Sequence, residues 1–200
     1  MLILGLTGSI GMGKSTTAKL FTEAGVPVYD ADATVHRIYE GEAAPAIEAA
    51  FPGTTVNGKV DRARLSERVM HDPAAIRRLE AIVHPMLRSH HQKFLEEAEK
   101  SGAPVAVMDI PLLYETAAER NFDLVIVTAC SRKSQKERLV SGRNLSEALA
   151  EQVINAQIAL EIKIQRADRV VWTDCPPGVA ALQVNQMARE IIDRYGGAAN

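Results

Sequence analysis

The sequence predicts an α/β protein with a five-stranded parallel sheet between two helical layers. Three observations carry this reading. Short apolar runs rich in Val and Ile recur at 2–6, 26–29, 105–108, 124–128 and 169–172, helical patterns fill the intervals, and a glycine-rich turn separates the first run from the first helix. Runs apolar at nearly every position suit strands buried on both faces, which is the environment of a parallel sheet.

The first run, LILGL, leads into Gly8-Ser-Ile-Gly-Met-Gly-Lys14-Ser15, which fits G-x-x-x-x-G-K-[ST], and an amphipathic helix with Ala18, Leu20 and Phe21 on one side follows. Glycines let backbone N–H groups turn inward around phosphate oxygens, and the helix N-terminus adds a fractional positive charge. The segment 8–16 is therefore the expected nucleoside triphosphate site. Lys14 is expected to reach the β and γ phosphates, Ser15 to offer its hydroxyl to Mg²⁺, and Thr16 to contact an α phosphate.

The second run ends in VYDADATVHR, placing Asp30 and Asp32 at the carboxyl edge of the sheet, where ligands of open α/β folds gather. A carboxylate there can accept or orient the hydroxyl proton of a phosphoryl acceptor, or simply cap the helix beginning near Ala33.

About 75 residues then pass before the third run, far more than a simple crossover needs, so a segment is inserted. It reads as mostly helical. Asp61 caps RARLSERVM, Asp72-Pro73 opens another helix, and Ile76, Leu79, Ile82 and Val83 keep helical spacing. Pro85 predicts a break or kink after His84, with helix resuming until Gly102.

The third run ends at Asp109, in MDIPLLYE, an acid positioned to hold Mg²⁺ directly or through water. A polar helical stretch, 131–165, follows the fourth run, with Ser146 as a cap. No internal repeat occurs, and the terminal GGAAN is expected to fray.

Bulk properties narrow the partners. A 46 % hydrophobic content suits a buried core, and a net charge of −2 gives no global attraction to nucleic acid or anionic lipid. No apolar run suggests a membrane span, and the N-terminus lacks a basic leader. Cys130 and Cys175 form neither a redox nor a zinc spacing, so buried thiols, a reducing compartment and a cytoplasmic location are expected. No Asn-Lys-x-Asp guanine reader is present, which argues against a GTPase switch.

TGSIGMGKST, YDADATVHR, LEAIVHPML and MDIPLLYE, in this order and spacing, resemble the dephospho-CoA kinase family over most of residues 1–130. The resemblance implies a P-loop NTPase core related to nucleoside monophosphate kinases, formed by 1–32, 103–130 and 166–200. It also implies a helical CoA-binding insertion over 33–102 and a lid over 131–165. The implied reaction is transfer of the ATP γ-phosphate to the 3′-hydroxyl of dephospho-CoA with Mg²⁺, by a monomer or weak oligomer.

Carried residue by residue, the resemblance makes Gly11, Met12, Gly13, Lys14, Ser15 and Thr16 the ATP site with Gly8 starting the cradle, makes Asp32 the base, puts Thr7 and His84 near the acceptor, and lines the acceptor pocket with Leu112, Leu113, Tyr114 and Glu115 beside Asp109. His84 also reads as part of a helix-breaking core pair. Lid arginines are expected to follow the phosphoryl charge. The family pattern of two arginines separated by three residues departs here, since Arg138 fits, Gly142 takes the second place and Arg143 follows. Thr173-Asp174 stands where members tend to carry Asn. Another small-metabolite kinase, or a nucleotide-binding regulator whose lid no longer supports transfer, are the alternative readings.

Overall fold

The computed structural model describes residues 1–195. The GGAAN tail lies outside the described residues. The element order is β1 (Leu2–Thr7), α1 (Lys14–Glu23), β2 (Val28–Asp30), α2 (Ala31–Tyr39), α3 (Ala44–Ala50), β3 (Thr55–Val56), β4 (Lys59–Val60), α4 (Arg62–Val69), α5 (Pro73–Lys100), β5 (Val105–Asp109), β6 (Leu124–Ala129), α6 (Arg132–Arg143), α7 (Glu147–Asn155), α8 (Leu160–Arg166), β7 (Arg169–Trp172) and α9 (Pro177–Tyr195).

Five strands form one sheet in the order β2-β5-β1-β6-β7. β1 lies in parallel register with β5 and β6, with Leu4 opposite Val107 and Leu124, and β6 runs parallel to β7. Side-chain alternation gives each strand two faces. Leu4, Leu6 and Ile126 pack with Phe21 of α1 and with Val184, Met187 and Ile191 of α9. On the other face Val125 and Val127 join Leu113, Tyr114, Phe122 and Leu160. The sheet is thus covered on both sides, and the three-layer expectation holds.

The chain divides into two compact units at the ends of β2 and α5. One is Met1–Tyr29 with the chain from Ala98 onward, and the other is Asp30–Glu97. The second unit has its own core of Ile38, Ile47, Phe51, Leu65 and Val83. Asp61 caps α4 by accepting from the Ala63 and Arg64 amides, and Asp72 precedes α5 and accepts from Ala74 and Ala75. A hairpin, β3–β4, turns through Asn57 and Gly58, both at positive φ.

Of the break or kink expected at Pro85, the break does not occur, because α5 runs through the proline as one helix of 28 residues. An internal proline costs about 3 kcal/mol through its missing donor and its clash. Leu79, Ile82 and Val83 before it and Met86 and Leu87 after it all enter the same core, so burial on both sides offsets that cost. Among the described residues, no helix is long and apolar enough to cross a membrane.

Candidate active site

The loop between β1 and α1 inverts the usual order of backbone pairing. Every carbonyl from Ser9 to Gly13 is occupied, while most amides from Gly11 onward are left over. Ser9 O accepts from Met12 N, Ile10 O from the Gln135 side chain, Gly11 O from Arg138, Met12 O from the Thr173 hydroxyl, and Gly13 O from Thr17. The amides of Gly11, Gly13, Lys14, Ser15 and Thr16 donate to no protein acceptor among the described residues. Gly13 occupies the N-cap of α1 at φ 85° without a side-chain cap, so converging N–H groups and the helix dipole make an anion cradle.

Two glycines are fixed sterically. A Cβ at Gly8 would stand 2.0 Å from Thr128 Oγ1, and Gly13 has a left-handed φ with Thr173 beside it. Met12 is buried, with its sulfur against the Cys130 amide and thiol, and burial pushes that thiol's pKa up. Cys130 fits the expected buried thiol, whereas Cys175 is only half-buried; both are free.

Lys14 Nζ lies 2.5 Å from Asp109 Oδ1, with Asp109 buried at the end of β5. Ser15 and Thr16 are exposed in the first turn of α1. Thr7 is fully buried, donating its hydroxyl to Pro111 O and accepting at its carbonyl from Thr128.

The two acids after β2 take different places. Asp30 is the N-cap of α2 and accepts from the Ala33 amide, while Asp32 lies inside the first turn. The capping role falls to Asp30. His84 is exposed on α5.

Of the residues expected to line the acceptor pocket, Leu112 alone is exposed. Leu113 and Tyr114 are buried in the core beneath the sheet, and Glu115 turns away to Lys163 at 2.7 Å. Lys163 is fully buried. Burial alone would raise the Glu115 pKa, but the Lys163 ammonium and the Ile158 amide more than offset it and hold the carboxyl below its ordinary value. Burial lifts the Tyr114 phenol to about 12, and the Arg166 guanidinium sits 4.5 Å over its ring while pairing with Glu119.

Arg138, expected to follow the phosphoryl charge, donates to Gly11 O, Thr173 Oγ1 and Thr173 O. Arg143 ends α6, where a cation suits the helix dipole, and its side chain makes no hydrogen bond or ion pair among the described residues. The α6–α7 pair meets the loop through a small core of Leu139, Ala150 and Ile154, against which Ile10 packs. A cavity of about 240 Å³ beside that contact is lined by Ser9, Met12, Arg132, Gln135, Asn155 and Gln157.

Gln135, Gln157 and Thr173 are the loop contacts that the sequence reading missed. For the first, helical spacing signals burial but not the partner: Gln135 stands one turn before Leu139 on the same helical face, and the structure leaves it 1 % exposed.

These features coincide with a family match. The model of the dephospho-CoA kinase family matches residues 2–175. The chain belongs to that family. It is 62 % identical to a dephospho-CoA kinase of Rhodopseudomonas palustris strain HaA2 over 193 residues, covering 96 % of this chain and 95 % of that one. Its fold is similar to a crystal structure from Thermus thermophilus, with TM-score 0.80 and 32 % identity over 94 % of this chain and 96 % of the other. A dephospho-CoA kinase from Campylobacter jejuni superposes with TM-score 0.65 at 25 % identity, with the same coverage of both chains. The kinase, P-loop and α/β/α expectations all stand.

Proposed function

We propose that this dephospho-CoA kinase family member transfers the γ-phosphate of ATP to the 3′-hydroxyl of dephospho-CoA, yielding coenzyme A. The cradle of acceptor-free amides around Lys14 carries this reading, and the family supplies the acceptor.

On this reading the Gly11 and Gly13–Thr16 amides grip the triphosphate, and Lys14 leaves Asp109 to neutralise its oxygens. Ser15 Oγ and the Asp109 carboxylate fit Mg²⁺, because both are hard oxygen donors and Lys14 links them in the chain and in space. Mg²⁺ bound there supplies charge neutralisation at the phosphoryl oxygens.

Asp32 takes or orients the 3′-hydroxyl proton. Asp30 has the cap, so the Asp32 carboxylate is not needed for it. Leu112 contacts the acceptor, with Leu113, Tyr114 and Glu115 setting its position from the core side. His84 and Thr7 act through position on α5 and β1. Arg143 supplies the lid cation, while Arg138 holds the loop. The insertion binds the CoA portion and 131–165 forms the lid, in a cytoplasmic monomer or weak oligomer.

ATP consumption with dephospho-CoA, checked by product mass, tests the assignment. Turnover of another small-metabolite acceptor but not of dephospho-CoA would overturn it. Asp32→Asn is expected to lower kcat on the order of 10²-fold while ATP affinity changes by less than about threefold. Full activity in that variant would remove Asp32 as the base.

A further inference from the structure

Three consecutive carbonyls of the loop, those of Ile10, Gly11 and Met12, are held by side chains from distant parts of the chain. Gln135 Nε2 donates to Ile10 O at 2.8 Å, Arg138 to Gly11 O at 3.3 Å, and Thr173 Oγ1 to Met12 O at 2.9 Å. On the other side of Ile10, its amide donates to Gln157 Oε1 at 2.9 Å. The peptide group is planar and trans, so its C=O and the following N–H point in opposite directions. Holding Ile10 O at Gln135 therefore aims the Gly11 N–H away from α6. Holding Met12 O at Thr173 aims the Gly13 N–H away from β7. Both amides belong to the set without a protein acceptor.

Without those holds the plane could rotate, since glycine imposes little preference of its own. A rotated plane would present a carbonyl oxygen, which repels a phosphate.

The chemistry of the two holding residues agrees with this role. Gln135 is 1 % exposed, a position where an apolar side chain of the same size would cost nothing unless a carbonyl needed a donor. The Thr173 hydroxyl has one proton, with Met12 O at 2.9 Å closer than Ala129 O at 3.2 Å, and its lone pair accepts from Arg138 at 2.8 Å. That acceptance fixes the hydroxyl's orientation and strengthens its donation.

We propose that Gln135 and Thr173 are positioning residues for phosphoryl transfer, which turn the Ile10 and Met12 carbonyls away from the nucleotide and so set the Gly11 and Gly13 amides toward it. This rests on the reading that the loop holds the ATP phosphates. It also joins the α6–α7 pair to the loop, because Gln135 reaches Ile10 O while Leu139, one turn later, packs near the Ile10 side chain.

The test uses the full chain with Thr173→Val, Thr173→Ser and Gln135→Met. ATP affinity is read by calorimetry, KM is measured separately for ATP and dephospho-CoA, and thermal unfolding is followed without nucleotide. Thr173→Val and Gln135→Met are expected to weaken ATP about tenfold, and to leave the dephospho-CoA KM within about twofold. Thr173→Ser keeps the hydroxyl and is expected to stay within about twofold of the parent for ATP. A Thr173→Val enzyme that binds ATP as the parent does would overturn the proposal, as would a Thr173→Ser enzyme as weak as Thr173→Val.

Should a variant not fold, amide exchange in the unaltered protein decides. ATP must slow exchange at Gly11 and Gly13 as well as at Lys14, Ser15 and Thr16; slowing at the latter three with unchanged exchange at Gly11 and Gly13 sinks the inference alone, and unchanged exchange at all five sinks the reading of the loop as the triphosphate cradle. Absence of any ATP binding by the unaltered protein instead sinks the functional reading beneath it.

Discussion

In the phosphate loop the backbone is the working part, and side chains serve it; in the α6–α7 pair the reverse holds. The loop is specified by glycines with no room for a Cβ or with left-handed φ, and by carbonyls each given a donor. The helix pair closes over a small core of Leu139, Ala150 and Ile154, and its surface is laced by ion pairs such as Arg132–Glu151 and Lys136–Glu147. Exposed pairs of that kind contribute roughly 0.2–1 kcal/mol each, so the core and the contact with Ile10 decide where the helices rest. A backbone device tolerates little change, whereas a side-chain device can be retuned residue by residue.

The largest expected effect falls on the loop. Lys14→Met should lower kcat by about 10²–10³-fold, the loss typical of removing one preorganised electrostatic partner of a transition state. Steady-state rates with saturating ATP check it. A smaller loss would mean that the amides alone carry the charge, which sharpens the contrast further.

Leu139→Ala tests the other side. Fully buried in the helix-pair core, it should cost about 2–5 kcal/mol in denaturant unfolding. If the loop depends on that core through Ile10, ATP affinity should fall as well.

Glycine substitutions set the two regions directly against each other. Gly8→Ala forces a Cβ to 2.0 Å from Thr128 Oγ1 and should cost about 1–3 kcal/mol. Gly142→Ala, in α6 with nothing within 4 Å of the added carbon, should stabilise by roughly 0.5–1 kcal/mol. Unfolding midpoints of the two variants should therefore move in opposite directions.

A pH-dependent effect concerns α8, which is pinned by Lys163–Glu115 and Arg166–Glu119 to the segment after β5. Glu115 titrates below its unfolded value of 4.5. It therefore adds stability that is present above that pH and disappears as pH falls through the depressed folded value. The gap in unfolding midpoint between the parent and Glu115→Gln should be full near neutrality and narrow below pH 4.5. A gap independent of pH would show that the ion pair contributes through shape alone.

Much of the fold was legible because it is local. The apolar runs appear as strands, with the second displaced to Val28–Asp30, and the caps at Asp61, Asp72 and Ser146 form through bonds to amides two or three residues ahead. The β3–β4 hairpin carries a local signal in Asn57-Gly58, an Asn-Gly pair suited to a tight turn. Pro85 misled because propensity weighs the lost hydrogen bond, while the core that outweighs it is assembled from several helices. Around the loop, the Lys14–Asp109 contact and the left-handed φ of Gly11 and Gly13 agree with the motif spacing. The burial of Leu113 and Tyr114 was not legible, because a family motif marks a segment and not the direction in which each side chain faces.

The sequence by itself determined the phosphate cradle, since left-handed φ, a missing Cβ and a following helix are encoded within residues 8–17. Tertiary structure alone decided which way its peptide planes face. Gln135 and Thr173 lie 125 and 161 positions from the carbonyls they hold, and no local pattern records a partner brought into reach only when β6, α6 and β7 pack beside β1.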